Sequence, residues 1–431
     1  MKPVITLALL LSLAPGRPAA QTTPAGSASG TLAFTGARVL DRPGASPAIS
    51  NAVIVVRDGK IVAVGPAASV RPPAGARTID LAGKTVIPGL IAAHAHVSDV
   101  NGLKPRAYTD ENTLRQLGVF ARYGVTTVWS LGGEQPPAFR ARDAQNTAAL
   151  DRARIFVSGD VIAGRTPEEA RQRVTTVAAL KADIIKIRVD DNLGTATKMT
   201  PEVYRAVIDE AHKQGLRVAA HIFYLDDAKE LLKAGVDMIA HSVRDKDVDD
   251  EFISLMKARN VPYCPTLTRE LSTFVYESTP AFFADPFFQR DADRDLVAQL
   301  QEPARQQAMR ASQTAQRYKA ALVVANRNLK RIADAGVLVA MGTDSGAFPE
   351  RFEGYFEHVE LEMMGEAGLT PAQILKSATG DAAIAMKQTD TGRLTVGAWA
   401  DFVVLDRDPL QDIKNTRSIA SVRIAGNEVR R

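Results

Sequence analysis

Two histidines one residue apart, His94 and His96, end an apolar, β-branched run that begins at Thr85. Along a strand, residues i and i+2 share a face, with Cα atoms roughly 6.5–7 Å apart. Two imidazoles placed so can meet one cation at metal–nitrogen distances of about 2.0–2.1 Å. A pair of hydrogen-bonded core histidines would leave the same trace, so the rest of the chain must decide. Four further residues sit in or close runs of the same kind. Lys186 interrupts Ala182-Asp-Ile-Ile-Lys-Ile-Arg188, His221 follows Val218-Ala-Ala, His241 follows Met238-Ile-Ala, and Asp344 follows Ala340-Met-Gly-Thr. A lysine in an apolar strand is costly unless it is paired or chemically changed. A salt bridge to Asp344 would pair it. Carbamylation by CO₂ would instead make it an anion with two oxygens, able to bridge two cations. On that reading the chain offers six ligands: four imidazoles, a bridging carbamate and a carboxylate. His212 and His358 fall in helical segments and read as ordinary helical residues.

Strands must carry these residues, and the middle of the chain alternates strands with amphipathic helical stretches, the pattern of parallel βαβ units. Eight strand candidates follow one another at 86–97, 125–131, 154–161, 183–189, 217–222, 238–243, 261–268 and 337–342. Helical segments such as 201–214 and 225–234 separate them and end at glycines, as Gly215, Gly235 and Gly336 do. Eight such units predict an α/β fold, a (β/α)₈ TIM barrel, whose chemistry sits at the C-terminal strand ends. Short alternating strands at both termini, with Asp58-Gly59 and Gly426-Asn427 as hairpin turns, predict a small β-sandwich built from 31–85 and 388–431. The barrel then spans 86–387. A helical insertion over about 270–335 carries an aromatic patch from Phe274 to Phe288 and reads either as a lid or as plain packing.

The 431 residues, 45% hydrophobic, are enough for a large core. A lysine, an apolar stretch from Val4 to Ala14 and small residues around Ala19-Ala20 read as a signal peptide over 1–20, followed by a Thr/Ala/Gly/Ser linker over 21–30. The expected location is therefore secreted or periplasmic. The apolar stretch falls short of the about 20 residues a membrane span needs, so no span is expected in the mature protein. Removal of 1–20 takes Lys2 and Arg17 and lowers the formal charge from +4 to +2. With no run of Lys or Arg, the chain has no nucleic-acid footprint. The expected partner is a small-molecule substrate, and a homo-oligomer stays open. Cys264 is the only cysteine, which excludes an intrachain disulfide, and no Gly-x-Ser-x-Gly motif offers a rival nucleophile.

The His94-Ala-His96 motif, Lys186 after Ala-Asp-Ile-Ile, the single histidines His221 and His241, and Gly342-Thr-Asp-Ser-Gly346 together resemble the amidohydrolase superfamily. The likeness is to its imidazolonepropionase-like, prolidase-like branch, and it extends to Val86-Ile-Pro-Gly-Leu90, Gly124-Val-Thr-Thr-Val128 and Gly397-Ala-Trp-Ala-Asp-Phe-Val-Val-Leu405. The resemblance implies two divalent metal ions, usually zinc. His94, His96 and Asp344 would hold one, His221 and His241 the other, with carbamylated Lys186 and a hydroxide between them. It implies hydrolysis of a small amide or dipeptide-like substrate such as an N-acyl amino acid, with Asp344 as proton acceptor and then donor. Lactone, ester or phosphotriester hydrolysis by the same site is the alternative. Mononuclear deaminases of the superfamily carry a glutamate three residues after the strand-five histidine, where this chain has Tyr224, and a dead binding barrel would lack a ligand position. Tyr224 is a candidate to polarise the scissile carbonyl. Arg244 either clamps a substrate carboxylate or pairs with Asp245 or a neighbouring acid.

Overall fold

The computed structural model describes residues 30–430; the expected signal peptide and nearly all of the linker lie outside the described residues. Within them the chain is mixed α/β. Two parallel sheets form the frame. One orders the strands Leu90–Ala95, Val125–Ser130 and Arg154–Val157; the other runs Ile185–Val189, Val218–Ile222, Met238–Ala240 and Tyr263–Cys264. Helices connect them, and burial on both faces explains why the strands read as continuous apolar runs. Isolated parallel bridges join the two sheets on both sides: Ile162 pairs with Ile187, Tyr263 with Val339, and Ala95 with Ser345. The segment expected as an eighth strand is held by these bridges and by Ala93 N–H to Met341 O and Ala340 N–H to Tyr263 O, rather than by a continuous ladder.

The run expected as one strand over 86–97 is two. Gly89 separates Thr85–Pro88 from Leu90–Ala95; a Cβ there would sit 1.9 Å from Thr126 Oγ1. Thr85–Pro88 pairs with Leu32–Val39 on one side and Phe402–Leu405 on the other. It thereby ties the N- and C-terminal segments into one eight-stranded mixed sheet. All eight strands are hydrogen-bonded in this sheet rather than split between two, and it carries its own core around Phe34, Ile54, Val86, Phe402 and Val404.

The insertion is helical, ending in the long helix Gln313–Asp334. Its aromatics pack rather than gate: Tyr276, Phe283 and Phe288 are buried against Phe352, Tyr355 and Phe356. His358, read as an ordinary helical residue, is fully buried and bonded to Thr416 Oγ1 and Tyr123 O. No helix among the described residues is long and apolar enough to cross a membrane.

A buried ion pair fastens the mixed sheet to the parallel strands. Arg154 Nε donates to Asp401 Oδ2 at 2.7 Å, and Asp401 Oδ1 accepts Ala425 N–H at 2.7 Å. Asp401→Ala strands a buried guanidinium and should cost about 3–5 kcal/mol, read as a lower urea midpoint than Asp401→Asn; equal midpoints would mean the pair carries no such weight.

Candidate metal centre

The predicted ligands leave from adjacent strand ends and point to one region. Lys186 Nζ stands 3.2 Å from His94 Nε2. Asp344 Oδ1 lies 3.2 Å from His94 Nε2 and 3.1 Å from His96 Nε2. The His241 ring is 4.5 Å from that of His94 and 4.2 Å from that of His221. One ligand atom each of His94, His241 and Asp344 falls within 4.8 Å of the other two. Lys186, Asp344 and the histidines other than half-buried His96 are buried. The structure thus brings five of the six candidates into direct contact and adds His221 through His241.

Other side chains occupy one nitrogen of three imidazoles and turn the second toward the cluster. Asp190 Oδ2 holds His221 Nε2 at 2.8 Å, leaving Nδ1. Thr266 Oγ1 holds His241 Nδ1 at 2.8 Å, leaving Nε2. His96 Nδ1 meets Asp99 Oδ2 at 3.0 Å and Gly132 O at 3.1 Å. Such outer partners set the tautomer and aim of a ligating imidazole. Asp190 was legible as the residue four on from Lys186, on the same strand face. Asp99, Thr266 and Arg351 left no comparable signal.

Burial sets the charges. It pulls His94 down to about 3, with the Lys186 charge adding to the effect, and it drives His221 and His241 well below their ordinary value. Burial also pulls Lys186 down to about 8, against the attraction of Asp344. For His96 burial is outweighed by the hydrogen bonds to Asp344 and Asp99, which raise it to about 10. Asp344 is held well below the carboxylate range although burial opposes this, because the Arg351 guanidinium bonds its Oδ2 and the two imidazoles face Oδ1. The neutral imidazoles of His94, His221 and His241 beside an ionised carboxylate form a donor set that suits a divalent ion such as zinc. The buried amine of Lys186 suits it only after losing its positive charge.

Asp344 sits in the left-handed region at φ 63°, and its neighbours hold it there. Thr343 Oγ1 and Ser345 Oγ both donate to Glu357 Oε1, at 2.7 and 2.6 Å. Asp344 N–H donates to His94 O at 3.0 Å. Glu360, on the same helix Tyr355–Glu366, accepts the Leu267 and Thr268 amides at 2.8 Å each, and Thr268 Oγ1 donates to Thr343 O at 3.1 Å. Gly346 completes the motif, since a Cβ there would stand 2.2 Å from His96 O.

Of the two substrate candidates, Tyr224 donates its hydroxyl to Asp191 Oδ1 at 2.9 Å. Arg244 is 1% exposed; its Nη1 donates to Ile222 O and Ser242 O, and its Nε lies 2.9 Å from Glu270 Oε1. It pairs with a neighbouring acid, and that acid is Glu270. Asp245 is occupied elsewhere, accepting Leu225 N–H at 2.8 Å.

Glu357→Ala leaves two buried hydroxyls without their acceptor, at about 1–3 kcal/mol each. Glu357→Gln keeps an acceptor oxygen and should keep most of the stability. Denaturant midpoints of both variants check this, and equal losses would assign the effect to charge instead.

A family model described as the amidohydrolase family matches residues 85–429. An ochratoxinase of Aspergillus niger is 26% identical over 259 residues, 57% of this chain and 45% of the relative, so the match spans about half of that protein's length. A 5-methylthioadenosine/S-adenosylhomocysteine deaminase of Natronomonas pharaonis is 26% identical over 427 residues, 93% of this chain and 90% of the relative. Among solved structures, a candidate prolidase of Bifidobacterium longum superposes with a TM-score of 0.76 at 26% identity, covering 94% of this chain and 95% of that one. The match to the family model covers most of the sequence and includes every candidate ligand, and the chain belongs to the amidohydrolase family.

Proposed function

We propose that the chain is an exported two-metal hydrolase that cleaves the amide bond of a small N-acyl amino acid or dipeptide. The observation that carries this reading is the convergence of Lys186, His94, His96, His241 and Asp344, with His221 turned toward them by Asp190. The bridges that join the two parallel sheets on both sides support closure into an eight-stranded barrel, which would put this cluster at its C-terminal mouth. Export rests on the N-terminal stretch alone.

His94, His96 and Asp344 would hold one divalent ion and His221 and His241 the other, with Lys186 as a carbamate between them. The neighbour that Lys186 Nζ meets is an imidazole, His94 Nε2 at 3.2 Å, rather than a carboxylate. When bound, such a pair of ions supplies an acidified water and polarises a carbonyl. The rest falls to the protein. Asp344 stays ionised under the Arg351 charge, so its Oδ1 is available to take a proton from the attacking water and return it to the leaving amine. Burial keeps His94, His221 and His241 neutral, and the strand ends exclude bulk water around them. Tyr224 stands where the superfamily's deaminases carry glutamate, which favours hydrolysis over deamination despite the similarity to the Natronomonas pharaonis protein.

Metal analysis of the purified chain should find about two divalent ions per protomer, since the two donor sets are separate. Lys186→Ala should lose about half of them and most of the activity; unchanged stoichiometry would remove the carbamate. Asp344→Asn should stay folded and lose turnover on a panel of N-acyl amino acids, dipeptides and lactones. Retained rates would place the proton acceptor elsewhere, and activity confined to lactones would overturn the amidase reading.

A further inference from the structure

The strand Ile185–Val189 turns Lys186 toward the centre, and a period of two puts Arg188 on the same face, with Asp190 next in that row just past the strand's end. The register sets Arg188 opposite His221 on the neighbouring strand. Lys186 is a candidate ligand and Asp190 holds His221, which leaves Arg188 without a task in the centre. Its side chain is 46% exposed, the one exposed residue of an otherwise buried strand. Its nearest acid is Asp190 at 3.6 Å, and both oxygens of that carboxylate already accept shorter bonds, from His221 Nε2 and from Asn192 N–H at 2.8 Å.

Behind this position the wall is also rich in guanidinium. Arg244 and Arg269 share the single carboxylate Glu270, at 2.9 and 2.5 Å, all three buried. The Arg269 guanidinium lies 5.1 Å from the Tyr318 ring, which lies 6.3 Å from Phe223, two residues beyond His221. Tyr318 also reaches Asn192 Oδ1, at 3.4 Å, in the loop that follows the Arg188 strand. Arg188 thus has Asp190 as its acid and Arg244 and Arg269 share Glu270 on the His221 side, where Asp191 is taken by the Tyr224 hydroxyl. A planar fork that stays charged and presents several N–H donors suits a carboxylate.

We propose that Arg188, backed by the Arg244–Glu270–Arg269 group, docks a carboxylate of the substrate on the His221 side of the centre. The enzyme then selects amides whose amine-side residue ends in a free carboxylate, and rejects their neutral counterparts. Arg244, the arginine singled out from sequence, braces this wall instead of touching substrate. The inference rests on the amide-hydrolase reading for its substrate and on Arg188 for its selectivity.

N-acetylglycine and N-acetylglycinamide are the smallest pair that differ in this group. Each would be titrated calorimetrically into the zinc-loaded full chain, and hydrolysis of each followed separately. The wild type should bind the acid more tightly than the amide. Arg188→Ala should shrink that preference about 10- to 100-fold, the scale of a hydrogen-bonded charge, and Arg188→Lys should restore part of it. A wild type without preference for the acid, or Arg188→Ala weakening both compounds alike, would overturn the subsite. Preference that depends on Arg188 with no hydrolysis of either compound would leave the subsite standing and bring down the reaction proposed for it.

Discussion

Five ionisable side chains in mutual contact, with one carboxylate among them, is the constraint on which the site depends. Lys186, His94, His241 and Asp344 are withdrawn from water and His96 is half-buried, and Asp344 also serves Arg351. Groups so placed either lose their charge or find a counter-ion, because an isolated buried charge is too costly. His94 and His241 take the first route; His96, bonded to the carboxylates of Asp344 and Asp99, takes the second. For the lysine, loss of its charge and replacement by an anion would convert the least comfortable member of the set into its bridge. The same desolvation that would oppose folding around an amine would favour a site able to recruit CO₂ and cations.

Holding such groups together takes backbone strain as well as burial. His241, Thr266 and Asp344 all occupy the left-handed region, at φ 70°, 50° and 63°, where non-glycine residues persist only if their surroundings over-determine them. Each lies just beyond the end of a strand segment, where the side chain must turn inward as the backbone leaves the sheet. His241 and Thr266 hold one another at 2.8 Å. Asp344 is fixed through its flanking hydroxyls, which explains why Thr and Ser surround it: both are needed to reach Glu357. Glu360 extends the restraint to the segment after Tyr263–Cys264. One helix therefore sets the positions of two adjacent strand ends.

Much of this was legible in the amino-acid order. Period-two geometry placed His94 with His96, and the apolar runs before Lys186, His221 and His241 announced buried strands ending in polar groups. The boundary at Gly89 was not legible, because Thr85 to Ala95 is one apolar run and only the close approach of Thr126 requires a break. The eighth strand was over-read, since its pairing is carried by single bridges. Glu357 and Glu360 were invisible for a different reason. On a helix, buried acids look like its solvated face until their hydrogen-bond partners, which lie more than ten residues away in sequence, are known. Arg188 could have been noticed by the rule that found His96, being two residues from Lys186. The apolar residues on either side, Ile187 and Val189, mask it.

The similarities sharpen what the fold decides and what it leaves open. A deaminase and an ochratoxinase both align with this chain, so common architecture specifies neither the bond cleaved nor the molecule carrying it. The candidate ligands lie on strand ends, where the sheet dictates direction. The wall that would meet substrate is assembled from Arg188 near the end of one strand, Arg269 in a short helix after another and Tyr318 on the long helix Gln313–Asp334. These parts can change without disturbing the ladder beneath them. Selectivity in this chain is therefore best sought where side chains leave the strands, in the balance of guanidinium and carboxylate, while the reaction is sought in the cluster they surround.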